Sequence, residues 1–274
     1  MDSKLKSNPY NFSNIAITKD DVLNILKTLN IQDYTINDLT LFQQSFIHDS
    51  YCDSTTHDEY DKPDKCLPLF TKSYETLEFL GDSFLGSIIT NYLYNRYVKY
   101  HNEDPGFLTK LKIRFVCGEQ LAYLSRKLNF KKFIIISKFI EDNCSGRENE
   151  NRLESILEDV FEAFIGALYL DSKDYLVVEK FIINCIESHI DIVDLILNDN
   201  NYKDQLLRYF QHNFSICPSY VTQKDEINGN FESIIYRIID NNSVKISSGI
   251  GQTKKKAEQE AAKNTLIYYS VISK

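Results

Sequence analysis

The chain has 274 residues, 43% of them hydrophobic and 26% charged, with a formal net charge of -8, the composition of a globular protein with one large core or two of ordinary size. No apolar run is long enough to cross a bilayer, and residues 1–20 lack the basic start and apolar middle of a signal peptide, so no membrane partner is expected. Six scattered cysteines (Cys52, Cys66, Cys117, Cys144, Cys185 and Cys217) form no CxxC pair and read as reduced thiols of an intracellular, cytoplasmic protein.

Residues 1–17 are polar and read as a loose N-terminal tail. From Thr18 onward helical signals dominate. TKDDVLNILKTLNI opens with Thr18 as N-cap and acids in the first turn. TINDLTLFQQSFIHDSY reads as a second short helix. Residues 52–73 contain Pro63 and Pro68 and read as a loop. An apolar helical pattern begins at Tyr74 and runs to about Tyr97. PGFLTKLKIRFVCGEQLAYLSRKLN contains a helix starting near Phe107, EDNCSGRENEN is a polar loop, and two more helices cover Arg152–Leu170 and Tyr175–Ile196. No alternating strand pattern occurs in this region, which predicts an all-helical domain. NDNNYKD breaks the pattern and marks a linker over 198–203. Beyond it a helix, three short strands (SYVTQ, FESIIYRIID, SVKISSGIG) and an Ala-rich helix from Lys254 give an α-β-β-β-α order. The domains expected are therefore 18–197 and 204–274.

YETLEFLGDSFLG (74–86) places Glu78 and Asp82 four residues apart among apolar and small side chains. In a helix they differ by about 40° and share one face. RLESILEDVFEAFIGALYLD (152–171) repeats the pattern, with Asp159 and Glu162 three apart and Glu158 and Glu162 four apart. Periodicity does not choose between Glu158 and Asp159. Gly81, Gly86, Ala163, Gly166 and Ala167 would let two such helices approach closely and gather four carboxylates. Such a cluster titrates upward unless a cation sits in it. Oxygen ligands without His or Cys favour Mg²⁺, with Mn²⁺ as substitute. That ion suits phosphodiester hydrolysis. The bland alternative is a set of surface acids on amphipathic helices.

These segments resemble the ribonuclease III family. LEFLGDSFL looks like its signature helix, SILEDVFEAFIGALYLD is similar to its second motif, SFIHDSY resembles its Thr-His-x-Ser-Tyr segment with Ile47 in place of Thr, and GFLTKLKIRFVCGEQLA resembles the intervening helix. The resemblance implies a catalytic and metal-binding quartet of Glu78, Asp82, Asp159 and Glu162. Glu158 stands where the family has a small residue. Glu75 and Glu119 match supporting acids, His48 matches the family histidine and reads as a structural hydrogen-bonding group, and Phe79 matches an aromatic at the dimer interface, with ordinary core packing as its alternative. Where the family has Asn-Glu-Arg, this chain has Tyr74, Glu75 and Thr76. The implied fold is an all-α ribonuclease III endonuclease domain followed by a small α+β double-stranded-RNA-binding domain. The implied activity is metal-dependent hydrolysis of double-stranded RNA by a homodimer, each active site cutting one strand and leaving short 3′ overhangs, as in RNA processing.

Charge is unevenly distributed. Residues 201–274 hold 10 Lys and Arg against 7 Asp and Glu, a net of +3, and the remainder has a net of -11. GIGQTKKKAEQEAAKNTL (249–266) resembles the end of a double-stranded-RNA-binding domain, with Lys254 and Lys255 on its basic pair and Lys256 beside them. Side chains and helix start together suit phosphate. Leu207 and Arg208 replace the usual Gln and Glu of the first helix, and Ile227 replaces a His. Binding is therefore expected to lean on phosphates. Two alternatives share the fold: a non-cleaving RNA-binding scaffold, and a protein that sequesters duplex RNA.

Overall fold

The computed structural model describes residues 8–52, 60–99, 104–144, 150–197, 201–225, 228–239 and 242–273. Contacts divide the chain into two compact units, Met1–Leu195 and Ile196–Lys274.

The regular elements among the first unit's described residues are helices, joined by loops and two isolated parallel bridges, Ile47 with Ile135 and Cys52 with Phe70. Helix α1 (Lys19–Thr28) starts with a reciprocal cap: the Thr18 hydroxyl accepts from the Asp21 N–H, and the Asp21 carboxylate accepts from the Thr18 N–H. Helix α2 (Leu39–Gln44) is capped by Asp38 and is followed by a single tight turn at Asp49–Tyr51. Helix α3 (Glu75–Leu93) runs on through a wider turn at Tyr94–Val98. Asp104 caps α4 (Pro105–Phe115), whose first residue is proline, a position that needs no N–H.

Two expected helices are each two. The chain leaves α4 at Val116, and Cys117 takes extended backbone before α5 (Gly118–Lys127) begins. Likewise α8 (Tyr175–His189) ends at an extended Ile190, and Asp191 then accepts from the N–H groups of Val193 and Asp194 to start α9 (Ile192–Leu197). Between these pairs lie α6 (Lys138–Cys144) and α7 (Glu150–Ser172).

Helix α7 is the axis of this unit. Ile156, Leu157, Val160, Phe161, Ala163, Phe164, Ile165, Ala167 and Leu168 are buried, as expected of a helix packed on nearly every side. Phe164 meets Phe42, Phe46, Phe130 and Phe181, with ring centroids 4.9 to 6.2 Å apart. Truncating such a ring costs about 3–5 kcal/mol.

Residues 8–17 correct the expectation of a loose tail. Asn11 and Ile17 are buried, and the side-chain amides of Asn11 and Asn14 both donate to the Ile136 carbonyl. Polar residues thus anchor this segment by satisfying a backbone acceptor, a use that composition does not reveal. The loop after Cys52 is also partly built in: Tyr51 donates to the Leu67 carbonyl, and Leu67, Leu69 and Phe70 pack on Ile47, Tyr51 and Ile135. Residues 53–59 lie outside the described residues.

The second unit has the expected α-β-β-β-α order. Helix α10 (Tyr202–Phe214) starts at Tyr202 and is capped by Asn201, so the helix expected over Tyr202–His212 takes Tyr202 and Lys203, where it overlaps the expected linker. Strands β1 (Ser219–Lys224), β2 (Phe231–Ile239) and β3 (Asn242–Gly251) form an antiparallel sheet in that order, with Tyr220 opposite Ile235 and Ile235 opposite Ser247. Helix α11 (Lys254–Tyr268) closes it. Leu206, Phe210, Ile235, Ala261, Ala262 and Leu266 form the core. The alanines keep α11 close to the sheet.

Candidate active site

The site begins with backbone contact between α3 and α7. A Cβ on Gly81 would overlap the Glu162 carbonyl, and a Cβ on Gly166 would overlap the Leu77 carbonyl. Each glycine therefore sits against the turn of the opposite helix that carries the acids. This close crossing brings Glu78 and Asp82 of α3 to the same side as Asp159 and Glu162 of α7.

The electrostatics record that convergence. Glu78 is pushed up to about 7, by burial first and then by the charges of Asp159, Glu75, Glu158 and Asp82. Glu162 is pushed up to about 8, again by burial first and then by Asp82, Glu158, Glu78 and Asp159. Burial also raises Asp159, while a hydrogen bond from Tyr74 works in the opposite direction. All four quartet members thus take part in one interacting group. Among the described residues, no three acidic, His or Cys side chains are already closed into a metal-binding group. The carboxylates are near enough to raise one another and are not gathered on a common point. Chemically, the arrangement can take up positive charge, either as protons or as a hard cation.

The neighbouring acids divide. Glu75 is exposed on the first turn of α3, and its charge reaches Glu78, Asp159 and His48. Glu158 acts on both Glu78 and Glu162, and its carboxylate lies against Gly118, where a Cβ would overlap it. Glu119 is exposed in the first turn of α5, next to that contact. His48 is held structurally: Nδ1 accepts from the Ser50 N–H at 3.0 Å, and its own backbone N–H donates to the Ile135 carbonyl. Phe79 is 79% exposed, which excludes core packing as its role within one chain.

Sequence reasoning missed Tyr74. Its side chain is buried, and its hydroxyl donates to Asp159 Oδ2 at 2.9 Å. The readable signal was a tyrosine at a helix start, where Ser, Thr, Asp or Asn is preferred.

In the second unit, Lys254, Lys255 and Lys256 are all exposed on the first turn of α11. The Thr253 hydroxyl accepts from the Lys256 N–H and caps that end. Leu207 is half-buried, and Arg208 is exposed with its guanidinium 2.9 Å from Asp204. Ile227 lies outside the described residues.

Comparison with known proteins agrees with this layout. The family model of the Ribonuclease III domain matches residues 75–173, and that of the Double-stranded RNA binding motif matches 202–269. A Probable ribonuclease 3 of Acanthamoeba polyphaga mimivirus is 36% identical over 86% of this chain, which spans 39% of that relative's length. Ribonuclease 3 of Phytoplasma mali is 32% identical over 78% of this chain and 86% of its own. Ribonuclease 3 of Borreliella afzelii is 30% identical over 96% of both. The chain belongs to the ribonuclease III family.

Proposed function

We propose that this protein is a divalent-metal-dependent endoribonuclease acting on double-stranded RNA. The observation that carries the reading is the close α3–α7 crossing, where Gly81 and Gly166 lie against the opposite backbone and Glu78, Asp82, Asp159 and Glu162 come within reach of one another's charge. Half-buried carboxylates in this state are ligands in need of a counter-charge. Four oxygen donors without His or Cys suit Mg²⁺, or Mn²⁺ in its place. When bound, that ion supplies an acidified water and offsets charge growing on the scissile phosphate.

The chain's own residues do the rest. Glu78, Asp82, Asp159 and Glu162 would hold the ion. The α3–α7 crossing fixes the two pairs relative to each other. Lys254, Lys255 and Lys256 would engage RNA phosphates from α11, where the helix start adds its own N–H groups. Such a domain reads A-form shape rather than sequence. We further propose a homodimer, with Phe79 as an apolar contact between α3 helices, each subunit cutting one strand and leaving short 3′ overhangs. An intracellular, cytoplasmic setting belongs to the same proposal and fits five free cysteines among the described residues. Among those residues no helix is long and apolar enough to cross a membrane.

The decisive experiment incubates duplex RNA with Mg²⁺ and either the wild type or Glu162→Gln. Cleavage by the wild type, lost in the variant while RNA binding persists, is the expected result. RNA left intact by both would make the chain a binder or sequestering protein.

A further inference from the structure

Tyr74 occupies the N-cap of α3, yet its side chain makes no cap. A residue at that position normally turns its oxygen back onto the helix's free N–H groups. Here the hydroxyl reaches instead to Asp159, 85 residues further along the chain. The local stability forgone at the helix start points to a use elsewhere.

The surroundings fix this tyrosine from several sides. Its backbone N–H donates to the Ile47 carbonyl at 2.8 Å. Its own carbonyl accepts from the N–H groups of Leu77 and Glu78 at 2.8 and 2.9 Å. Its ring meets the His48 ring edge-on, with centroids 5.8 Å apart, and the residue is only 4% exposed. The phenol oxygen is therefore located by the first turn of α3, the turn that carries Glu78. It grips a carboxylate on α7. One side chain thereby ties the two halves of the acidic cluster together.

We infer that Tyr74 is a positioning residue for the proposed metal centre, its hydroxyl holding Asp159 through Oδ2 so that this carboxylate would be kept in place for the cation. This inference rests on the metal-site reading above and goes one step beyond it. Repulsion from Glu75, Glu78 and Glu162 acts to turn the Asp159 side chain out of the cluster. A neutral donor opposes that rotation without adding a charge that would compete with the metal. A cationic donor at the same place would neutralise Asp159 and weaken its hold on a divalent ion. Outer partners of this kind change metal affinity by about 10- to 100-fold.

Tyr74→Phe removes only the oxygen. The test measures Mn²⁺ binding directly, by electron paramagnetic resonance of free Mn²⁺ in RNA-free protein, for wild type, Tyr74→Phe, Asp159→Asn, the double variant and Glu162→Gln. Cleavage is followed in parallel against Mg²⁺ and RNA concentration. Expected is an Mn²⁺ dissociation constant raised about tenfold in Tyr74→Phe, with a matching rise in the Mg²⁺ needed for half-maximal cleavage. KM for RNA stays unchanged, and kcat is partly rescued by high Mg²⁺. In the Asp159→Asn background, Tyr74→Phe should add nothing. Thermal melting distinguishes a positioning role from a stabilising one, since lower stability with unchanged Mn²⁺ affinity overturns the inference. So does an equal Mn²⁺ loss with and without the Asp159 carboxylate. If the wild type binds Mn²⁺ and Glu162→Gln does not, while Tyr74→Phe binds normally, this inference fails alone. If the wild type binds no Mn²⁺, the metal-site reading fails with it.

Discussion

Glu162 is half-buried beside Asp82, Glu158, Glu78 and Asp159, and its carboxyl is pushed up to about 8. In the unfolded chain it titrates near the ordinary value of about 4.3. Below that pH both states are protonated, and the group contributes nothing to the pH dependence. Above it the unfolded chain releases its proton while the folded protein keeps one, so folding binds protons. The Glu162 contribution to the stability of metal-free protein therefore falls as pH rises from about 4.3 to 8 and levels off above. Glu162→Gln should flatten that decline and raise the melting temperature of the metal-free protein at pH 8. Urea denaturation in chelator between pH 5 and 8.5, wild type against variant, measures it. A wild-type curve parallel to the variant's would refute the elevation. Adding Mg²⁺ should restore the wild type preferentially, because the ion replaces the protons that the cluster otherwise holds.

At the scale of elements, α3 and α7 are held by Gly81 against the Glu162 carbonyl and Gly166 against the Leu77 carbonyl. Gly81→Ala must push the helices apart, at a cost of about 1–3 kcal/mol for overpacking. Gly86→Ala is the control on the same helix, since its Cβ would meet only Lys112 Nζ at 3.8 Å. Urea denaturation should separate the two variants, and cleavage should fall in Gly81→Ala alone. The small residues and the pairing of acids were legible in sequence because helical period and residue size are local properties. The choice of Asp159 over Glu158 came from family resemblance; both charges reach the cluster. The breaks at Cys117 and Ile190 were not legible, because apolar spacing continues across both. At the first break Gly118 opens α5 with the Glu158 carboxylate packed against it, a partner distant in the chain. The hydrogen bond from Tyr74 was hidden for the same reason, its partner being distant in the chain. The anchoring of Asn11 and Asn14 onto Ile136 is a third case, in which polar composition looked like solvation and is used instead to satisfy a carbonyl.

For the whole molecule, two surfaces would carry assembly and RNA binding. Phe79 is 79% exposed on α3, so Phe79→Asp should leave folding stability within about 0.5 kcal/mol. If α3 helices meet in a homodimer, the same change buries an unpaired charge in the contact and should shift the protein to monomer in sedimentation. A dimer that survives Phe79→Asp would remove this residue from the interface. RNA binding is governed by a different balance. Residues 1–200 have a net charge of -11 and residues 201–274 a net of +3, so attraction to a polyanion must come from locally placed cations. Lys254, Lys255 and Lys256 are exposed at the start of one helix and would each displace counterions from the RNA. Changing all three to Ala should weaken binding to duplexes of any sequence alike and lower the slope of log affinity against log salt by about one per lysine that contacts a phosphate. Titrating labelled duplex RNA from low to high salt with both proteins gives the slopes. Equal slopes would mean that the lysine cluster faces water and that another part of the chain holds the RNA.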